Sequence, residues 1–192
     1  EDQEETRDFF ACGVSTFAKK GDKALILLPG DKPGSVGALL QEGLPRIGVR
    51  PVLYGLAEAA AGAVQALVKE KADILIGIPV QVLAMAYYWE RNQATQWKPG
   101  AVLLSTDYVP AAINETLQRI WGCKVYAHYG MTEMGLGGGI ECAVHNGYHL
   151  READLYFEII DPVSGCVMPD GAYGEVVFTT LTRKGMPLIR YR

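Results

Sequence analysis

The sequence lacks an apolar segment long enough to span a bilayer, and residues 1–5 are mostly acidic where a signal peptide would be basic. It also has no excess of basic residues, because 18 Lys and Arg stand against 22 Asp and Glu, for a net charge of −4. This balance argues against a general binder of nucleic acid or of acidic membranes, since too few cations remain to neutralise phosphates. Internal repeats and low-complexity stretches are absent as well.

Cysteine is scarce too, and the four thiols are widely spaced, at Cys12, Cys123, Cys142 and Cys166. A chain of 192 residues can bury one good core and needs no disulfide scaffold. Reduced thiols and a cytoplasmic location are therefore expected.

Apolar runs and helix-like segments alternate five times in the first 150 residues. The runs are continuous, which is typical of a parallel sheet covered by helices on both faces. The predicted strands are 24–28, 49–54, 73–78, 101–104 and 125–128, and the predicted helices are 35–47, 57–70, 80–90 and one beginning at Asp107, with a polar loop at 92–100. Later, 156–160 and 174–179 predict an antiparallel pair, and 187–192 a further strand. We expect an α/β fold with a mostly parallel sheet flanked by helices (1–150), followed by a smaller antiparallel β unit (151–192).

A glycine-rich loop after the fifth predicted strand carries the chemistry of a ligand site. Tyr129-Gly130-Met131-Thr132-Glu133 runs into four more glycines within 135–139. Glycine lets the backbone approach a ligand, a threonine hydroxyl can bind a phosphate oxygen, and a glutamate carboxylate can hold a metal ion. Tyr129 adds an aromatic face. The alternative is a strand-to-loop turn whose polar side chains are only solvated.

Two other loops with ligand-compatible residues fall at the same edge of the predicted sheet. Ser105-Thr106-Asp107 follows the fourth strand, and 30–37 follows the first. Because parallel sheets bind ligands beyond the carboxyl ends of their strands, this placement favours a nucleotide or acyl site. Asp107 can equally be a helix cap. The loop 30–37 lacks the G-x-G-x-x-G spacing, which disfavours a dinucleotide-dependent oxidoreductase.

A second group of candidate ligands is Cys142, His145 and His149, which form a Cys-x-x-His-x-x-x-His pattern. Thiolate and imidazole are good zinc ligands, and this spacing permits a structural Zn²⁺ site. A complete tetrahedral site needs a fourth ligand, however, and Cys166 is the only later cysteine. The alternative is three unrelated loop residues.

These motifs also resemble a known family. Tyr129-Gly130-Met131-Thr132-Glu133 resembles the Tyr-Gly-x-Thr-Glu signature of the adenylate-forming (acyl-CoA synthetase) superfamily. The stretches 158–162, 174–182 and 186–192 are similar, in this order, to the phenylacetate–CoA ligase branch. Together they cover about the last third of the chain, and the preceding sheet fits the middle subdomain of the family.

The resemblance implies a reaction that joins a carboxylic acid to ATP and then passes the acyl group to the thiol of coenzyme A. By matching positions, Tyr129 would lie near the adenine, Gly130 would admit the nucleotide, Thr132 would contact the α-phosphate and Glu133 would bind Mg²⁺. Thr132 and Glu133 are thus the catalytic candidates. The nucleotide-binding candidates are Ser105, Thr106, Asp107, Tyr129, Gly130, Met131 and Thr132. The residues 30–36, 78–79 and Tyr129 would border the acyl pocket.

Several parts of the family pattern are missing from the sequence. It contains no Ser/Thr/Gly-rich phosphate loop, and it stops at Arg192, where relatives continue with Thr-Gly-Asp and later a catalytic lysine. We therefore expect a fragment of a longer ligase, inactive by itself. A catalytically silent relative that binds an adenine nucleotide or acyl-CoA stays open as an alternative.

Two further expectations concern the whole protein. The resemblance allows an aromatic, an aliphatic or an amino-acid carboxylate as the substrate, and an exposed sheet edge would favour a homodimer. Some relatives hold a structural zinc through a Cys and a His near Cys142, His145 and His149.

Overall fold

The computed structural model describes residues 2–92 and 97–192, so the predicted loop at 92–100 lies partly outside the described residues. The helices are α1 (Asp2–Ser15), α2 (Val36–Gly43), α3 (Ala60–Glu70), α4 (Pro79–Asn92) and α5 (Ala111–Trp121), with 3₁₀ turns at Leu44–Ile47 and Thr132–Met134. The strands are β1 (Lys23–Leu27), β2 (Arg50–Leu53), β3 (Ile74–Gly77), β4 (Ala101–Leu104), β5 (Lys124–Tyr129), β6 (Gly139–Glu141), β7 (Tyr148–Leu150), β8 (Leu155–Ile160) and β9 (Glu175–Thr180). Within these described ranges, none of the helices has the length and hydrophobicity needed to cross a membrane.

The main sheet has seven strands in the order β2-β1-β3-β4-β5-β6-β7. Its first five strands are parallel, whereas β6 pairs antiparallel with β5, and β7 pairs antiparallel with β6. The predicted mostly parallel sheet flanked by helices is therefore confirmed. The two short antiparallel strands β6 and β7 were not predicted, because at three residues each they carry too little pattern to detect.

Alternate residues of each parallel strand enter two different cores, because successive side chains in a strand point to opposite faces. On one face, Leu25 and Leu27 of β1 pack with α3, α4 and α5. On the other face, Ala24 and Ile26 of β1 pack with α1 and α2. Burial on both faces explains why the strands are continuous apolar runs.

The second sheet contains β8 and β9, which pair antiparallel with Tyr156 opposite Thr179. This pair confirms the predicted antiparallel β unit. The predicted strand at 187–192 is wrong, since only Tyr191 forms a bridge, to Phe178. Phe178 and Leu155 form a small core with Met134, so the β unit packs directly on the 3₁₀ turn that follows β5.

The start of α5 differs from the prediction of a helix beginning at Asp107. The helix begins at Ala111, with Pro110 in extended backbone as its N-cap residue. Proline disfavours a helical conformation in the residue before it, so a helix could not continue from Asp107 through Val109. The Asp107 carboxylate instead accepts a hydrogen bond from the Tyr108 N–H at 2.7 Å. The helix-cap interpretation of Asp107 is therefore wrong.

A buried polar pair joins the carboxyl ends of β4 and β5. The Ser105 hydroxyl and His128 Nδ1 are 2.8 Å apart, and both residues are buried. The rings of Phe9 and Phe10 lie 5.8 and 5.4 Å from the His128 ring. This burial lowers the pKa of His128 from 6.5 to about 4, while the Leu136 backbone acts in the opposite direction. His128 is therefore neutral at physiological pH.

The lowered pKa of His128 predicts a loss of stability in mild acid. Between pH 6.5 and about 4 the unfolded chain binds a proton at this position and the folded chain does not, so unfolding becomes easier as the pH falls. The full effect is on the order of 3 kcal/mol and is complete near the folded-state pKa. We expect His128→Asn to flatten the pH dependence of urea unfolding in this range, whereas His149→Asn, at an exposed position, should not. An NMR-titrated His128 pKa above 6 would contradict the prediction.

Candidate functional site

The carboxyl ends of four parallel strands lie side by side at one edge of the sheet. Leu27 of β1 aligns with Gly77 of β3, Gly77 with Leu104 of β4, and Leu104 with Ala127 of β5. The loops that leave these ends contain the residues singled out in the sequence, at 29–37, 78–79, 105–107 and 129–133. The strand register thus brings the candidate loops together beyond the carboxyl ends of the parallel strands, which is where open parallel sheets bind ligands.

Gly130 lies where the chain leaves β5, in a space that no other residue fits. A Cβ at this position would lie 2.5 Å from the Leu136 carbonyl oxygen and 2.9 Å from His128 Nε2. The backbone oxygen cannot move without breaking the turn, in which the Leu136 N–H donates to the Met131 carbonyl at 2.8 Å. The glycine of the motif is therefore required by packing within the protein, in addition to any ligand that approaches it.

Thr132 and Glu133 belong to the short 3₁₀ turn Thr132–Met134, in which Thr132 is more exposed to solvent than Glu133. Met134 is fully buried against the β unit and anchors the turn. The Gly135 N–H closes the turn with a 2.9 Å hydrogen bond to the Thr132 carbonyl. With Met134 held inward, Thr132 is exposed and Glu133 is half-buried at the rim of the adjoining groove.

The Glu133 carboxylate has no hydrogen-bond or ion-pair partner among residues 2–92 and 97–192, so it is available to a cation. In the same ranges, no group of three or more His, Cys, Asp and Glu side chains is arranged to hold a metal ion. A single free carboxylate fits Mg²⁺, which proteins often bind through one or two carboxylates, with phosphates and water as the other ligands.

A groove of about 570 Å³ runs beside this turn. We call it the Thr132 groove, and its walls include Pro29, Val36, Thr132, Glu133, Thr6 and Arg183. Apolar side chains from the loop after β1 form one side, and α1 together with the segment after β9 forms the other. The contributions of Thr6 and Arg183 were missed in the sequence, because neither belongs to a recognisable motif and both come from distant parts of the chain.

The loop after β4 contains a backbone feature that the sequence did not reveal. Thr106 has a φ of 74°, in the left-handed region that β-branched residues rarely adopt. Ser105 before it is buried through its bond to His128, while Asp107 after it is exposed. Such strain persists only where the surroundings impose it, and it is concentrated at functional sites.

Tyr129 is half-buried at the end of β5, and burial raises the pKa of its phenol. Its ring centroid lies 6.0 Å from that of Tyr148 on β7, and its carbonyl accepts a hydrogen bond from the Gly138 N–H. Tyr148 is half-exposed and was not predicted as a site residue. Tyr148 lies beside Tyr129 because β7 pairs with β6 and β6 with β5, and sequence spacing does not reveal this pairing.

Cys142, His145 and His149 are not gathered into a metal site in the described part of the chain. The His145 ring stacks on Tyr126 with centroids 5.1 Å apart, and its Nδ1 lies 3.7 Å from the Glu141 carboxylate. His149 lies on β7, opposite Ile140 of β6. The three side chains as placed do not fit a zinc ion, and structural zinc stays a prediction from the sequence alone.

Comparison with known proteins gives relatives of one kind. A phenylacetate–coenzyme A ligase from Pseudomonas putida is 32% identical over 181 residues, which make up 91% of this chain and 40% of that protein. A second, from Escherichia coli (strain K12), is 39% identical over 83 residues, or 42% of this chain and 19% of that protein. The chain thus spans about two fifths of the length of the P. putida relative. No protein-family model matches the chain.

Solved structures share the fold at lower identity. A 2-hydroxyisobutyryl-CoA ligase, in complex with 2-HIB-AMP and CoA, matches with a TM-score of 0.81 at 19% identity, over 97% of this chain and 43% of that one. A long-chain-fatty-acid–CoA ligase from Archaeoglobus fulgidus matches with a TM-score of 0.75 at 14% identity, over 93% of this chain and 38% of that one. The sequence matches and the shared fold together confirm the resemblance of this chain to the phenylacetate–CoA ligase branch of the adenylate-forming superfamily.

Proposed function

We propose that the protein to which this chain belongs is an AMP-forming carboxylate–CoA ligase. It would convert ATP, a carboxylic acid and CoA into acyl-CoA, AMP and pyrophosphate. The observation that carries the proposal is the loop Tyr129–Glu133, which has the motif of the family and lies at the carboxyl edge of a parallel sheet. The 32% identity to a phenylacetate–coenzyme A ligase over 91% of the chain supports it.

In this proposal Thr132 and Glu133 act on the phosphates of ATP. Adenylation gathers negative charge at the α-phosphate, and fixed donors are most effective where charge develops. The exposed hydroxyl of Thr132, on the 3₁₀ turn, is free to donate to an α-phosphate oxygen. Glu133 would hold Mg²⁺, which supplies Lewis-acid neutralisation of the phosphates when bound.

The remaining nucleotide contacts are assigned to the neighbouring loops. Tyr129, Gly130 and Met131 would line one side of the adenosine, and Ser105, Thr106 and Asp107 the other. Ser105 is buried and bonded to His128, so we assign it to shaping the loop, whereas Thr106 and Asp107 are exposed for contact. The acyl group would lie toward 30–36 and 78–79.

Three further features of the whole protein are proposals of the same kind. Reduced cysteines fit a cytoplasmic location, and all four are free in the structure. A homodimer is proposed from the exposed sheet edge. Structural zinc at Cys142, His145 and His149 would be refuted by metal analysis giving less than about a tenth of an equivalent, where a structural site requires a full one.

Removing the proposed phosphate and metal contacts should abolish most of the adenylation rate. In the full-length protein, Thr132→Ala and Glu133→Gln should each lower kcat/KM for acid-dependent pyrophosphate release by about 10²- to 10³-fold, the usual cost of one transition-state contact. Glu152→Gln is the matched control, since Glu152 is exposed and lies outside the site. Pyrophosphate release should be measured against a panel of aromatic, aliphatic and amino acids.

Two outcomes would contradict this assignment. Full activity in both variants would show that the loop does not contact the phosphates. A full-length protein that binds ATP or acyl-CoA and releases no pyrophosphate with any acid would be the silent relative.

The 192-residue chain by itself should bind adenine nucleotides and form no product. We expect ATP with Mg²⁺, or AMP, to raise its melting temperature, because a ligand at about 100 times its Kd adds about 2.7 kcal/mol to the free energy of unfolding. NAD(H) should have no effect. Stabilisation by NAD(H) alone would favour the oxidoreductase, and acyl-adenylate or acyl-CoA formed by this chain would refute the expected inactivity.

A further inference from the structure

A hydrogen bond from α1, which no sequence motif predicts, holds the end of the 3₁₀ turn Thr132–Met134. The Thr6 hydroxyl, on the first turns of α1, donates to the Gly135 carbonyl at 2.7 Å, across 129 positions in sequence. Thr6 is 2% exposed, so this hydrogen bond is shielded from water. A second, longer contact of the same hydroxyl, to the Asp2 carbonyl at 3.3 Å, stays within α1. The shorter contact therefore takes the single hydroxyl proton.

Arg183, from the segment after β9, completes the contact from the other side. Its Nη1 donates to the Thr6 hydroxyl at 3.2 Å and also to the Asp2 carbonyl. Its guanidinium packs against Gly135, where a Cβ would lie 2.5 Å from Arg183 Cζ. Arg183 is 6% exposed, and its charge is balanced by Glu5, whose carboxylate lies 3.5 Å from Nε.

The first turn of α1 is bound to the same segment by further hydrogen bonds. The Asp2 carboxylate accepts from the Gly185 N–H at 2.8 Å and the Lys184 N–H at 3.2 Å. The Gly185 hydrogen bond is the main reason why the pKa of Asp2 is lowered. The Glu5 carboxylate accepts from the Thr182 hydroxyl at 2.9 Å. Two distant parts of the chain, the start of α1 and the segment after β9, thus meet behind the loop that carries Thr132 and Glu133.

We propose that Thr6 and Arg183 are positioning residues that fix the Thr132–Gly135 turn, and with it the Thr132 hydroxyl and the Glu133 carboxylate at the groove. We call this pair, together with its acceptor Gly135, the α1 latch. Its effect on catalysis rests on the ligase function proposed above, whereas its effect on the turn does not. The physical argument is that the backbone hydrogen bonds of the turn are all local, so a shielded contact from outside adds to the burial of Met134 in keeping the turn closed.

The latch can be tested without any activity, in the 192-residue chain. Thr6→Val keeps the shape of the side chain and removes the hydroxyl, whereas Thr6→Ser keeps the hydroxyl. We expect Thr6→Val to speed hydrogen exchange at the Met134, Gly135 and Leu136 amides about tenfold, the effect of losing one buried hydrogen bond, and Thr6→Ser to leave it unchanged. The control is Thr16→Val, because the exposed Thr16 hydroxyl bonds to the nearby Gly13 carbonyl at the end of α1, far from the turn in sequence. Unchanged exchange in a folded Thr6→Val chain would overturn the latch.

Arg183→Lys provides a second variant, which serves if Thr6→Val does not fold. Lysine keeps the charge beside Glu5 and loses the planar fork that lies on Gly135 and reaches both Asp2 and Thr6. It should give the same local acceleration at Met134, Gly135 and Leu136, and exchange equal to that of the parent chain would contradict the proposal.

The positioning role is tested in the full-length protein. Thr6→Val should lower kcat for pyrophosphate release about tenfold, raise the Mg²⁺ concentration needed for half-maximal rate, and leave the KM of the acid unchanged, since only the phosphate side is displaced. Thr6→Ser should restore the parent values. Parent kcat and Mg²⁺ dependence in Thr6→Val would overturn the positioning role. A parent protein that releases no pyrophosphate would refute the ligase function instead, while the exchange measurements would still decide the latch.

Discussion

A parallel sheet must be covered on both faces, and the rest of this molecule follows from that constraint. Consecutive parallel strands must be joined by crossovers that return the chain to the opposite end of the sheet, so β1, β3, β4 and β5 all end at the same edge. The crossover helices, together with α1 before β1, supply the two apolar layers that bury the strands. The site is therefore built from segments that are far apart in sequence.

The exit from β5 is the point where this regular pattern ends. The chain turns back through Gly130 and the 3₁₀ turn, and β6 and β7 then continue the sheet antiparallel. The turn is fixed by three contacts. Gly130 packs beneath the Leu136 carbonyl, where only a glycine fits, and Met134 is buried against the β unit. The Thr6 hydroxyl of α1 donates a hydrogen bond to the Gly135 carbonyl. Thr132 and Glu133 are thereby held at the Thr132 groove, which is the preorganisation that their proposed phosphate and metal contacts need.

Much of the fold and part of the candidate site were predictable from the sequence. The five parallel strands are continuous apolar runs, and β8 and β9 flank a turn, so their existence and pairing class were predicted. The motif at 129–133 and the loop at 105–107 were predicted to lie at one edge, and the strand register places them there. The predictions failed where pattern was weak: β6 and β7 are too short, Pro110 overrides the cap signal of Asp107, and 187–192 forms only one bridge.

The sequence by itself determined the alternation of strands and helices, the edge at which the loops emerge and the residue types available to a ligand, because periodicity and turn chemistry are local properties. Only the tertiary structure decided that His128 is buried with Ser105, that Thr106 takes a left-handed conformation and that Thr6 and Arg183 reach the turn from positions 6 and 183. These contacts join residues with no shared motif. They depend on how α1 and the β unit pack against the end of β5, and packing between distant segments leaves no local pattern in the amino-acid sequence.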